Sequence, residues 1–201
     1  MTKFFLDTCS FIALSGLDEN GFCLLTNSLI DGKSELFSSH IQAEEKYSKN
    51  NSDVRQVFKK AFEKFEKHGI KVNLQNTKGL VIGVSKFGYA SFSNDYIKKI
   101  YGALKDELKK CMSEKGKYDS KPFDKDAMLN NSKDCLIAVT SVDYDYFITS
   151  DDCLYKSWEM VLQRSENREV LSRIPVAIYV EPNPEKVLKL LSDILDIHKQ
   201  M

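Results

Sequence analysis

The chain has 201 residues, of which 42% are apolar and 29% are charged, a composition typical of a globular protein with one core. Its 29 Lys and Arg balance its 29 Asp and Glu, which argues against a protein that binds polyanions through bulk positive charge. The five cysteines have no CxxC spacing and the sequence has no long apolar run. We therefore expect reduced thiols in a cytoplasmic protein without a membrane span.

The first quarter of the chain alternates strand and helix signals. The predicted elements are a buried strand at 3–7, a helix over 20–31, a strand at 34–38 and a helix that starts at 38–39. The first strand ends at Asp7. The helix after the second strand is predicted to carry Glu44 and Glu45 in its first two turns.

The middle of the chain is dominated by two amphipathic patterns. Apolar residues recur at helical spacing over 53–68, which Gly69 ends, and again over 95–114. Between these helices we predict a short hairpin at 70–83 and a loop at 84–95. A further loop is predicted at 115–126.

The last third predicts a helix, a strand, a helix, a strand and a final helix. The first helix follows Ser132, with Asp134 in its first turn, and the strand at 146–150 runs directly into Asp151 and Asp152. The remaining elements are a helix over 152–163, a strand at 175–180 and a helix whose N-cap is Asn183. Short apolar strands that alternate with helices predict a mostly parallel sheet covered on both faces.

Acidic residues fall where the functional crevice of such a sheet is expected, outside the carboxyl ends of its strands. These residues are Asp7, Glu44, Asp134, Asp151 and Asp152. Carboxylates gathered at one edge would repel one another unless cations neutralised them, and Mg²⁺ or Mn²⁺ prefers such oxygen ligands. Taken singly, each acid has a structural explanation as a strand-end, first-turn or N-cap residue.

Three segments together resemble the PIN-domain family. They are FFLDTCSFI, SSHIQAEEKY and KDCLIAVTSVDYDYFITSDDCL, which match a strand ending in Asp-Thr, a helix-borne Glu, an Asp-x-x-Ile-Ala helix and a strand ending in Thr-x-Asp. The resemblance covers about 1–50 and 130–181. It implies a single α/β domain over 1–201, a three-layer α/β/α sandwich, with a helical insertion at about 51–129.

The resemblance implies a metal-dependent nuclease, most often a ribonuclease, that hydrolyses phosphodiester bonds with a metal-activated water. The implied cation-binding acids are Asp7, Glu44, Asp134 and Asp151, with Asp152 as a further ligand or an N-cap. Thr149 would orient Asp151 or the attacking water. Glu45 remains an alternative to Glu44, because neighbouring helical side chains point in different directions.

The substrate and partner predictions are broader. Lys98, Lys99 and Lys156 are candidates for phosphate contacts, although lysines interleaved with acids also form ordinary solvated helix faces. The resemblance leaves open an inhibitory protein partner, as in toxin–antitoxin pairs, and a homodimer. The alternative to a nuclease is a non-catalytic PIN-like module that binds RNA or a protein.

Overall fold

The computed structural model describes residues 1–30, 34–39, 52–78, 90–91, 95–115, 125–162, 164 and 175–200. In these ranges the strands are β1 (Thr2–Leu6), β2 (Ser34–Ser39), β3 (Val72–Gln75), β4 (Thr77–Lys78), β5 (Ala90–Ser91), β6 (Tyr146–Thr149) and β7 (Val176–Tyr179). The helices are α1 (Thr8–Ser15), α2 (Glu19–Ile30), α3 (Ser52–Lys67), α4 (Asp95–Glu114), α5 (Lys125–Thr140), α6 (Asp152–Leu162) and α7 (Pro184–Gln200). A short 3₁₀ helix follows α5 at Ser141–Asp143.

Five strands form one parallel sheet in the order β3-β2-β1-β6-β7. In its centre, Phe4 of β1 is paired with Leu36 of β2 on one side and with Tyr146 of β6 on the other. The two-residue strands β4 and β5 pair separately, also in parallel. The predicted α/β class and central parallel sheet are therefore confirmed.

Helices cover both faces of the sheet, as a parallel sheet requires. Side chains alternate along β1, so Phe4 and Leu6 face one core and Phe5 faces the other. The first core is completed by α1, α2, α3 and α7, and the second by α4, α5 and α6. Trp158 of α6 is fully buried in the second core. The result is the three-layer sandwich that was expected.

Several local predictions were wrong. In the described part of the hairpin predicted at 70–83, β3 and β4 do not pair with each other, because β3 pairs in parallel with β2 and β4 pairs in parallel with β5; residues 79–83 lie outside the described ranges. Strand β5 also lies within the predicted loop at 84–95. Ser38 and Ser39 are the last residues of β2, and the helix predicted to follow them lies outside the described residues. Helix α5 begins at Lys125, well before the predicted start at Ser132.

The described part of 51–129 is not helical throughout. Strand β3 is the edge strand of the central sheet, and α3 packs against α1 in the first core. This part of the chain therefore completes the sandwich. Gly69 ends α3 with a φ of 69°, a left-handed conformation that glycine adopts without strain. No helix in the described ranges is long and apolar enough to cross a membrane.

Candidate functional site

The strand order reverses direction beside β1. From β1 the chain builds outward through β2 and β3 on one side, and β6 and β7 lie on the other side. All five strands are parallel, so the segments after β1 and β6 leave the same edge of the sheet side by side. A crevice between such neighbouring strands is the usual ligand site of an open parallel sheet. Asp7 follows β1 here, and Ser150 and Asp151 follow β6.

Asp7 is held by hydrogen bonds on both carboxylate oxygens. The backbone N–H of Ser10 donates to Oδ1 at 2.7 Å, so Asp7 caps the first turn of α1. The hydroxyl of Thr149 donates to Oδ2 at 2.5 Å, and the backbone N–H of Ser150 reaches the same oxygen at 3.3 Å. These donors fix the carboxylate between the ends of two neighbouring strands.

The Asp7 carboxyl is almost completely buried, with 4% of its surface exposed. Burial raises its pKa above the usual value, and the hydrogen bonds from Thr149, Ser10 and Ser150 oppose that rise without cancelling it. These donors are neutral, and the described residues bring no lysine, arginine or histidine to this carboxyl. Ionised Asp7 therefore lacks a positive partner from the described part of the chain.

Thr149 connects Asp7 to the start of α6. Its fully buried hydroxyl donates to Asp7 and accepts a hydrogen bond from the backbone N–H of Asp151 at 3.0 Å. The PIN-like resemblance implied that the Thr149 hydroxyl orients Asp151 or the attacking water. The contacts are with the Asp7 side chain and the Asp151 backbone.

Two serines beside Asp7 were not found from the sequence. The hydroxyls of Ser10 and Ser150 lie 3.0 Å apart, within hydrogen-bond distance. They therefore bridge the residues that follow β1 and β6. Serine is common in turns and first helical turns, so neither residue forms a recognisable signal. The position of Ser150 at the end of a predicted strand was the only available clue.

Asp151 and Asp152 have different environments. One oxygen of Asp151 accepts a hydrogen bond from the backbone N–H of Leu154 at 2.9 Å and caps α6. Asp152 forms ion pairs with Lys115 and Lys156, which lower the pKa of its carboxyl. The N-cap is thus Asp151, and the charge of Asp152 is already balanced by two lysines.

Asp134 does not lie in the first turn of a helix, because α5 starts at Lys125 and Asp134 falls in its third turn. The helix dipole is effective only near the first turn and so does not account for this acid. Asp134 is half-buried. Burial raises the pKa of the neighbouring Cys135 thiol, and the negative charge of Asp134 raises it further. Glu44 and Glu45 lie outside the described residues. The structure therefore joins Asp7, Thr149 and Asp151 in one network, and it does not group the Asp134 carboxylate with those of Asp7 and Asp151 closely enough to hold a metal.

The three lysines proposed for phosphate contacts are exposed. Lys98 pairs with Asp95 one turn earlier at 3.0 Å, and Lys99 follows it on the surface of α4. Lys156 pairs with Asp152 at 3.1 Å across one turn of α6. Both ion pairs are ordinary surface pairs of a helix.

No protein-family model matches the chain, and no curated protein has a matching sequence. The resemblance to the PIN-domain family therefore depends on the three sequence segments alone.

The donors around Asp7 fit a hard cation in their chemistry. Carboxylates and hydroxyl oxygens are the ligands that Mg²⁺ and Mn²⁺ prefer, and neither cation needs His or Cys. Within the described ranges, no three His, Cys, Asp or Glu residues are grouped closely enough to hold a metal. Three of the four predicted ligands, Asp7, Asp134 and Asp151, are described and do not form such a group, and the fourth, Glu44, lies outside those ranges.

Proposed function

We propose that this protein is a Mg²⁺- or Mn²⁺-dependent nuclease that hydrolyses phosphodiester bonds of RNA. One observation carries the proposal: the buried carboxyl of Asp7 lies where the strand order reverses, and no described residue supplies it with a positive charge. A buried carboxylate without a cationic partner is costly, and a bound divalent cation would remove that cost.

Asp7 and Asp151 would contribute ligands to the cation. Glu44 and Asp134 are included because of the PIN-like segments, since the structure does not group Asp134 with the other two acids. When bound, the cation would neutralise the phosphate and lower the pKa of a water molecule. Thr149 keeps the Asp7 carboxylate fixed by its hydroxyl bond, and its second bond ties the backbone of Asp151 to the same point. A ligand set fixed in this way needs little rearrangement when substrate arrives. We exclude Asp152 from the set, because it pairs with Lys115 and Lys156.

The choice of RNA as substrate rests on the PIN-like segments. Lys98 and Lys99 are exposed neighbours on α4 and remain our candidates for contacts to the phosphate backbone. Lys156 is the weaker candidate, since it already pairs with Asp152. We also propose that the protein acts in the cytoplasm, because the structure has no disulfide bond among its five cysteines, all of which it describes.

The proposal is tested with a single-stranded RNA labelled at one end and purified full-length protein. We expect cleavage with Mg²⁺ or Mn²⁺, loss of cleavage with EDTA, and recovery when the metal is returned in excess. Asp7→Asn and Asp134→Asn keep the side-chain volume and should each reduce the cleavage rate by at least about 100-fold.

The matched control is Asp18→Asn. Asp18 caps α2 through the backbone N–H of Gly21 at 2.7 Å, just as Asp7 caps α1, but it lies outside the proposed ligand set. This variant should cleave as wild type does. If folded Asp7→Asn and Asp134→Asn proteins cleave at the wild-type rate, the site is wrong. RNA binding that is equal with and without Mg²⁺, and never shortens the RNA, would favour the non-catalytic module.

A further inference from the structure

Two cysteines meet where α4 packs along α6, in the second core. The sulfur of Cys111 on α4 lies 2.6 Å from the sulfur of Cys153 on α6, and both residues are free thiols. An S–S bond is about 2.05 Å long, so a shift of about half an ångström would close it. We propose that Cys111 and Cys153 form a reversible disulfide when the protein meets a small hydroperoxide.

The two thiols differ in access to solvent. Cys111 is half-buried and lines an open cavity of about 380 Å³ between α4 and α6, whose other walls include Tyr155 and Met160. Cys153 is only 2% exposed. A hydroperoxide that enters the cavity therefore reaches Cys111 first, and Cys153 is the partner that resolves the oxidised sulfur.

The chemistry balances in two steps. The Cys111 thiolate attacks the terminal peroxide oxygen, the O–O bond breaks, and the alcohol leaves with a proton while sulfur becomes a sulfenic acid. The Cys153 sulfur then attacks the Cys111 sulfur, the S–O bond breaks, and water leaves as the disulfide forms. The sum is two thiols and one hydroperoxide giving one disulfide, one alcohol and one water.

Charged groups from both helices face this pair. Burial and the neighbouring Cys153 raise the pKa of the Cys111 thiol to about 11, while the ammonium of Lys115 on α4 opposes the rise and Asp152 on α6 adds to it. The Cys111 thiolate that attacks the peroxide is therefore a minor species, and the ammonium of Lys115 stabilises it.

The Cys111–Cys153 disulfide would close a covalent loop of the chain, and this loop contains Asp134, Thr149 and Asp151. Because 42 residue positions separate the two cysteines, closing this loop restricts the unfolded chain and should raise the Tm by about 5–10 °C. This inference does not depend on the proposed nuclease activity.

The test uses full-length protein that is reduced, freed of reductant and treated with hydrogen peroxide at low molar excess. Peptide mapping without reduction should recover a Cys111–Cys153 linked pair, intact mass should fall by two hydrogens, and dithiothreitol should reverse both changes. The Tm should rise in wild type and in the control Cys23→Ser, which removes an exposed thiol elsewhere. It should not rise in Cys111→Ser or Cys153→Ser.

Peptide mapping of the oxidised wild-type protein is enough to decide the proposal. The decision therefore does not depend on whether any variant folds. The proposal fails if the folded protein accumulates sulfinic acid at Cys111 without the link, or if Cys9 and Cys23 are oxidised while Cys111 and Cys153 stay reduced. It also fails if the link appears only after unfolding in urea.

Discussion

Replacing Thr149 with valine tests the hydrogen-bond network that connects Asp7 to the start of α6. Valine matches threonine in size, so the change leaves no cavity and removes only the hydroxyl. That hydroxyl donates to the Asp7 carboxylate at 2.5 Å and accepts from the Asp151 backbone at 3.0 Å. A bond to a charged group contributes about 1.5–3 kcal/mol and a neutral one about 1 kcal/mol. We expect Thr149→Val to lower the free energy of unfolding by about 2–4 kcal/mol.

The size of this loss should depend on pH. Burial raises the pKa of Asp7 in the folded protein above the unfolded value of 3.8, and the Thr149 bond is the largest effect that opposes the rise. A group with a raised folded pKa loses its stabilising contribution as pH rises from the unfolded pKa through the folded pKa. Without the hydroxyl, the pKa of Asp7 in the folded variant is higher still. The variant therefore goes on losing stability over a wider pH range than wild type does. The difference between wild type and variant should therefore grow with pH.

The assay is urea unfolding followed by tryptophan fluorescence at about pH 4.5 and about pH 8. The unfolding free energy must fall with urea concentration at the same slope in both proteins for their stabilities to be compared. The matched control is Thr140→Val. The Thr140 hydroxyl is also buried and makes two hydrogen bonds, to the Leu136 carbonyl and from the Lys78 backbone, but no carboxylate is involved. This control should lose stability equally at both pH values. The reasoning is refuted if Thr149→Val is within about 0.5 kcal/mol of wild type, or if its loss is as independent of pH as that of the control.

Three further changes have simple readouts. Gly69→Ala should lower the Tm by about 2–4 °C in calorimetry, because alanine is strained at a φ of 69°, and an unchanged Tm would contradict this. Asn183→Ala removes the acceptor for the Lys186 backbone N–H and should cost about 1 kcal/mol, whereas Asn183→Asp should cost little. Lys115→Ala should raise the pKa of Asp152 in a carboxyl NMR titration, since Lys115 is its strongest partner, and no shift would be inconsistent with the ion pair.

The sheet was predictable where strands are apolar and buried on both faces. The runs around Phe4, Leu36 and Phe147 contain alternating core residues for the two helical layers, and each was predicted close to its observed bounds. Strand β3 was misassigned to a hairpin because all four of its residues are only half-buried. Its pairing with β2 depends on a partner distant in sequence, and local turn signals contain no information about such a partner.

The candidate site was predictable in part, for a similar reason. Asp7 and Asp151 follow apolar strands, and the parallel topology places strand ends at one edge. Asp134 was given the wrong helical position because the weakly apolar start of α5, from Lys125, has no clear periodicity. The roles of Ser10 and Ser150 depend on a contact between residues 140 positions apart. Nothing in the local sequence indicates that contact.

The proposed nuclease activity requires a divalent cation beside Asp7, between the ends of β1 and β6. The most direct measurement is paramagnetic broadening of backbone amide signals during a substoichiometric Mn²⁺ titration of the full-length protein. We expect the amides of Ser10, Ser150 and Asp151 to broaden first in wild type, and we expect Asp7→Asn to abolish this effect. Broadening that begins elsewhere, or that is unchanged in Asp7→Asn, would contradict it.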